Sequence, residues 1–295
     1  MESEKGMKDM KKRSFKAVLL LFVLTTLTIA LGGCSGDKKG DISSQITIGI
    51  PQDLEDSLDP HKMVTAGTRE VLFNIFEGLV KVTSDGDFVP AVASSYEETE
   101  GGKVYTFTLR DNVKFHDGST VTAEDVKFSL DKCADTSAGE PLVAAFSNID
   151  SVNILDDKTV QVVLKEADTE FLAYMTTAII PASNADPDTN PIGTGPYKFV
   201  SRSPQENFVM ERFDDYWGEP AYIKDVTLKI CANADTIVMD LEGGSIDMFA
   251  RVTSTQAAEL SDNFNVLEGT MNLVQALYLN LSLIHISEPT RPRLI

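Results

Sequence analysis

The side chains of this 295-residue chain that could do chemistry are three histidines, three cysteines and a few carboxylates set beside glycines. His116-Asp117-Gly118 puts an imidazole next to a carboxylate, a pairing suited to general acid/base work. Asp-Gly also supplies the positive φ of a hairpin turn, and the turn is the stronger reading. Asp85-Gly86-Asp87 begins like a calcium loop but lacks the further oxygen ligands and the closing Glu, so it reads as a solvated turn. Gly193-Thr194-Gly195-Pro196 could cradle a phosphate only with the Lys and the following helix of a P-loop, and it has neither. Its glycines instead allow close backbone approach. The sequence has no Gly-x-Ser-x-Gly elbow, no His-Glu-x-x-His and no Cys-His nucleophile pair. Beyond Cys34, His61, His116, His285, Cys133 and Cys231 are too few and too scattered for a Cys/His metal cluster. No enzyme, metal or cofactor is therefore expected. Cys133 and Cys231 read as buried free thiols, although an oxidising compartment would permit a disulfide.

Cys34 is the residue with the clearest chemistry. It follows Leu31-Gly32-Gly33 at the end of an apolar run from Ala17 to Ala30, behind a basic flank from Lys8 to Lys16. That is the layout of a secretory signal. Small residues followed at once by Cys resemble the lipobox of bacterial lipoproteins, in which the cysteine is diacylated and becomes the first residue after cleavage. Residues 1–33 are thus expected to be a signal peptide, with Cys34 the lipid attachment site. The apolar run is short of the ~20 residues of a spanning helix. Met7 and Met10 are alternative starts. Six of the 26 basic and three of the 45 acidic side chains precede Cys34, so the processed chain carries 20 Lys+Arg against 42 Asp+Glu, a formal charge of −22. Such a chain repels anionic head groups and offers no basic cluster for nucleic acid.

The elements that must position these residues alternate strand and helix. Residues 34–45 are small and polar, a tether between lipid and fold. Ile46, Ile48 and Ile50 alternate as a strand that Pro51 stops, and Val71, Leu72, Ile75, Phe76 and Leu79 recur at helical spacing, predicting a helix over 66–77 with Gly78 as its stop. Strand signals follow at 104–109, continued by Val113, Phe115 and the 116–118 turn. Thr122-x-x-Asp125 resembles a capping box that opens a helix through Leu130. Strands are predicted at 152–155, 159–164, 197–201, 207–213, 225–230, 246–249, 264–268 and 276–281, and helices at 234–242 and 254–260. The pattern is mixed α/β with short connections and no internal repeat.

Several segments recur in one order: Leu58-Asp59-Pro60-His61, Glu77-Gly78-Leu79-Val80, Tyr105-Thr106-Phe107-Thr108-Leu109-Arg110, Lys114-Phe115-His116-Asp117-Gly118, Thr122-Ala123-Glu124-Asp125-Val126, Gly193-Thr194-Gly195-Pro196-Tyr197 and Asp215-Tyr216-Trp217-Gly218. Over about 46–282 the chain resembles the family 5 (peptide- and nickel-type) extracellular solute-binding proteins of ABC importers. The resemblance implies an α/β, periplasmic-binding-protein-like class II architecture of two lobes, with an extra domain inserted in the first. Residues 46–64 and 190–272 would form the first lobe, 65–189 the inserted domain, and 273–282 the start of a second lobe that is otherwise missing. The tail 283–295, with Glu288-Pro289-Thr290-Arg291-Pro292-Arg293, departs from the family and resembles translated sequencing-adapter sequence, so it is expected to be artefactual.

The same resemblance implies a monomer that captures an oligopeptide or similar small solute outside the cytoplasm. It would hand the solute to ABC permease and ATPase subunits while held on the membrane by its N-terminal lipid. Nickel complexes, sugars or another small solute on the same fold are alternatives, and a secreted hydrolase is the rival from another class. Met63, Gly67 and Thr68 align with positions that line the family's ligand cleft. Packing of Met63 in the core and capping of a helix by Thr68 are the structural alternatives. His61 is expected to hold a loop by hydrogen bonding.

Overall fold

The computed structural model describes residues 44–267 apart from Glu55, Asp56, Val64, Ala138, Ala232, Ala250 and Arg251. The expected signal peptide, Cys34, most of the tether, the strand at 276–281, the start of a second lobe at 273–282 and the tail from 283 lie outside the described residues. The chain divides after Ala250 into two compact units. In the second, Ser254–Leu260 is a helix opened by a capping box between Thr253 and Gln256, and residues 264–267 form no strand.

In the first unit, β1 (Gln45–Ile50) lies inside a five-stranded sheet with β8 (Tyr197–Ser203), β9 (Asn207–Arg212), β10 (Asp225–Ile230) and β11 (Met248–Phe249), in the order β11-β1-β10-β9-β8. β1 runs parallel to β10 and β11, while β9 runs antiparallel to β8 and β10. Ile46 faces Val226 and Ile48 faces Leu228 in register, so the period-2 apolar pattern lies along one core face. A second, antiparallel sheet has the order β4-β5-β7-β6, built from β4 (Ala93–Thr99), β5 (Val104–Leu109), β6 (Ile149–Asp156) and β7 (Thr159–Leu164). β5 buries Tyr105, Phe107 and Leu109 on one side, beneath helix α2 (Ala123–Ala134). The Thr122–Asp125 capping box is present, with Thr122 Oγ1 accepting from the Asp125 N–H at 3.2 Å. Strands β2 (Val80–Val82) and β3 (Phe88–Pro90) form a hairpin whose turn holds Asp85-Gly86-Asp87, with Thr83 bonded to Gly86 and Asp87 across it. Helix α3 (Ala234–Glu242) is capped by Asn233.

Helix α1 (Ala66–Leu72) is shorter than the predicted 66–77. The periodicity continues through Phe76, but the carbonyls of Asn74 and Ile75 accept from the N–H groups of Tyr197 (3.1 Å) and Gly195 (2.9 Å), so they are spent on another segment. The Asn74 side chain turns back to the Val71 carbonyl at 3.0 Å and helps close the helix. From there the backbone runs between two cores. Ile75 and Phe76 belong to the core under the five-stranded sheet; Leu79 and Val80 belong to that of the four-stranded sheet. The extended segment 178–180 does the same by alternation, with Ala178 and Ile180 in one core and Ile179 in the other.

Two polar clusters brace this partition. Glu77 is buried and accepts from Tyr216 Oη at 2.7 Å and Trp217 Nε1 at 2.6 Å, with burial pushing its carboxyl above the ordinary value against those donors. The Arg110 guanidinium lies 4.4 Å from the Trp217 ring centroid. His116 clamps the glycine segment: its N–H donates to Gly193 O (3.0 Å), its Nδ1 accepts from Gly193 N–H (3.3 Å), and its Nε2 lies 3.0 Å from Gly195 O. Since the carbonyl can only accept, Nε2 carries the proton and the ring is neutral. Burial, above all, pulls its pKa down to about 4. His116-Asp117-Gly118 is thus a turn, with Gly118 at φ +89° and Asp117 accepting from Ser119, and not an acid/base pair.

Two outcomes follow for stability. A Cβ on Gly195 would sit 2.5 Å from Asn74 O, and one on Gly193 would press on Ile75 O, with backbone and not a flexible side chain in the way. Gly193→Ala is expected to cost more than ~4 kcal/mol, whereas Gly86→Ala, in open space, loses only its turn preference of ~1 kcal/mol, and urea unfolding of the pair measures the contrast. His116 has a folded pKa below its unfolded value of roughly 6.5, so its contribution is complete above that pH and is lost as the pH falls toward 4. Between pH 7.5 and pH 5 the loss is on the order of 2 kcal/mol. The pH dependence should flatten by that amount in His116→Gln, and an unchanged slope would refute the neutral clamp.

Candidate functional site

The segment singled out for ligand contact follows a loop that runs from the end of β1 to α1. Such a loop has no ladder of its own, so side chains must fix it. Asp53 accepts from its neighbour's N–H on Leu54 (2.7 Å), from Gln205 N–H (2.8 Å) and from Arg202 Nη2 (3.2 Å), and Arg202 also donates to Leu54 O. Burial works against the charge on Asp53, but these donors outweigh it and hold the carboxyl below the ordinary range. Further along, Ser57 Oγ donates to Asp188, and Lys62 lies 3.6 Å from the same carboxylate.

The middle of the loop is Leu58-Asp59-Pro60-His61. Leu58 enters the core of the five-stranded sheet. Asp59 is fully buried; its Oδ2 takes a 2.8 Å hydrogen bond from Lys132 Nζ on α2, and its Oδ1 takes one of 3.1 Å from the His61 N–H. The Asp59 carbonyl accepts from the N–H groups of Lys62 (3.0 Å) and Met63 (3.2 Å), closing a turn. His61 Nε2 lies 2.8 Å from Ala178 O and so carries the ring proton, leaving Nδ1 bare, without a hydrogen-bond partner and 3.9 Å from Asp59 Oδ1. Burial foremost, aided by the Lys132 charge, lowers the His61 pKa against the pull of Ala178 and Asp59. His61 therefore holds a loop, as its position in the motif implied.

Of the three residues named for ligand contact, Met63 is half-buried against the core of the five-stranded sheet, and its carbonyl accepts from Arg69 Nη2 at 3.3 Å. Gly67 is exposed, with nothing within 4 Å of where a Cβ would stand. Thr68 is buried. The helix cap is Thr65, whose Oγ1 accepts from Thr68 N–H at 3.4 Å and donates to Thr68 Oγ1 at 3.0 Å. The Thr65-x-x-Thr68 spacing was available in the sequence as a sign of that cap. The three residues thus lie within one loop and one helical turn, with Gly67 outermost. Cys34 lies outside the described residues. Cys133 and Cys231 are buried free thiols; burial pushes the Cys133 thiol up to about 12. Among the described residues no helix is long and apolar enough to cross a membrane.

Known proteins are similar to this chain in sequence and fold. Over 287 residues the chain is 29% identical to the oligopeptide-binding protein AppA of Bacillus subtilis, an alignment that takes in 87% of this chain and 52% of AppA. It is 30% identical over 201 residues to the nickel-binding periplasmic protein of Escherichia coli K12, covering 65% of this chain and 38% of that protein. The periplasmic binding protein DppA of Helicobacter pylori, solved in complex with the peptide STSA, superposes with a TM-score of 0.67 at 26% identity over 74% of this chain and 48% of DppA. The chain spans about half the length, or less, of these relatives. Residues 87–293 match the family described as bacterial extracellular solute-binding proteins, family 5 Middle. With its mixed α/β fold superposing on a periplasmic binding protein, and most of its length inside that match, the chain belongs to the family 5 extracellular solute-binding proteins.

Proposed function

We propose that this chain is the first part of a lipid-anchored solute-binding subunit of an ABC importer that captures short peptides outside the cytoplasm. The observation that carries the reading is family membership together with relatives named for oligopeptides, AppA among them. Residues 46–64 and 190–272 would then be the first lobe, 65–189 the inserted domain and 273–282 the start of a second lobe in a longer protein, present as a monomer. Such a subunit makes and breaks no covalent bond. It encloses its ligand by hinge closure and presents the closed form to permease and ATPase subunits. Met63 would give the ligand an apolar edge, Gly67 unobstructed backbone, and Thr68 support from beneath. The 30% identity to a nickel-binding protein favours one second reading, capture of a nickel complex on the same surface.

Two measurements test this. Because Gly67 faces open space, Gly67→Trp should leave the melting temperature within about 2 °C while weakening peptide binding at least about ten-fold in the full-length product of the locus, titrated with di- to pentapeptide pools. Saturable heat with a nickel–histidine complex and none with peptides would favour the second reading. Binding unaffected by Gly67→Trp would remove this surface from the site. Cys34→Ala should move the protein from the membrane to the soluble fraction, or leave it unprocessed, because stable attachment needs more than one acyl chain and all of them depend on that thiol. Unchanged fractionation and mobility would exclude the lipid anchor.

A further inference from the structure

Asp59 has a side chain only 1% exposed, and a carboxylate taken that far from water is costly unless a cation stays with it. Its partner at 2.8 Å, Lys132, comes from α2, 73 residues along the chain. The other cation nearby, Lys62, is 3.8 Å away, half-exposed and shared with Asp188 at 3.6 Å. The remaining base is His61, whose buried Nδ1 has no hydrogen-bond partner and lies 3.9 Å from Asp59 Oδ1. Neutral, it adds no bond there; protonated, it places a positive charge 3.9 Å from that oxygen, within ion-pair range. The neighbouring thiol of Cys133 stays protonated and uncharged at neutral pH. One buried carboxylate therefore faces two lysines and a histidine, and of the three Lys132 alone is within hydrogen-bond distance and mostly buried.

We propose that Lys132 is a positioning residue that holds the 57–63 turn, and with it Met63, Gly67 and Thr68, through Asp59, and that a protonated His61 is a reserve partner able to stand in where Lys132 is lost. The inserted region from 65 to 189 would then set the geometry of the ligand-facing segment through this buried ion pair, alongside the more exposed Lys62–Asp188 pair and the His61–Ala178 contact. This consequence for ligand binding rests on the functional reading above; the ion-pair assignment does not.

The test is amide hydrogen exchange on the full chain. In Lys132→Met the amides of Lys62 and Met63, which close the turn onto Asp59, should exchange about ten-fold faster than wild type at pH 8, after correction for intrinsic rates, while β5 and β7 change little. At pH 5.5 most of that gap should close, because His61, relieved of the Lys132 charge, protonates more readily and pairs electrostatically with Asp59. Lys132→Arg should behave as wild type. The double variant Asp59→Asn with Lys132→Met leaves no buried charge, so it keeps the experiment decisive if the single variant unfolds, and its exchange at the turn should not depend on pH beyond the intrinsic rate. Exchange that rises equally in β5, β7 and the turn, or a gap at pH 5.5 as wide as at pH 8, overturns the proposal. No ligand is needed, so the outcome is separate from that of the peptide titration.

Discussion

Buried backbone must find hydrogen-bond partners, and between Asn74 and Leu79 it finds them in three directions at once. Asn74 and Ile75 carbonyls accept from Tyr197 and Gly195, Glu77 O accepts from Ile179, and Gly78 and Leu79 carbonyls accept from Val92, Ala91 and Ala93. This ribbon is the wall between the two cores. It can be approached so closely only because glycines stand at the contacts: Gly195 against Asn74, Gly193 against Ile75, and Gly78 against Met175. An unmade bond here would cost the full desolvation of a peptide group, which is why the segment leaves helical geometry although its apolar spacing would continue the helix.

Around that wall His116, Glu77, Ser129 and Asp59 find their donors and acceptors within the protein, whereas Thr194 Oγ1 and His61 Nδ1 are buried without a partner. His116 is neutral because its two ring nitrogens serve one N–H and one carbonyl of the glycine segment. Glu77 is satisfied by a tyrosine hydroxyl and an indole N–H. Ser129 of α2 bridges Asp125 and Ile180, tying the helix to the alternating segment that serves both cores. Asp59 differs in needing a full charge as its partner, and Lys132 supplies it. The motifs that mark the family are thus mostly ties of the scaffold. The residues proposed to meet the ligand lie beside them, in the loop before α1 and on its first turn, where Gly67 is exposed.

Patterns with a local cause were legible in the sequence. The alternation of Ile46, Ile48 and Ile50, the strands over 159–164 and 225–230, the Thr122 capping box, and α3 over 234–242 all appear where spacing placed them. Strand β4 was not legible. Its residues are largely exposed, and it is a strand because β5 offers it an edge to pair with. The hairpin of β2 and β3 is too short for periodicity to register. The predicted extension of α1 to residue 77 failed because long-range backbone partners outcompeted local helical ones.

For the site, residue types alone argued against nucleophilic and metal chemistry, and the ordered motifs pointed to the family. What the sequence determined by itself was therefore the set of locally encoded elements, the export-like N-terminus and the class of protein. Only the tertiary structure decided that Asp59 pairs with Lys132, that His61 and His116 are neutral with assigned protons, and that Gly67 faces solvent while Thr68 is buried. Those outcomes depend on groups tens to more than a hundred residues apart meeting in a low-dielectric interior, where burial and partner together set charge, and no local pattern of spacing carries that information.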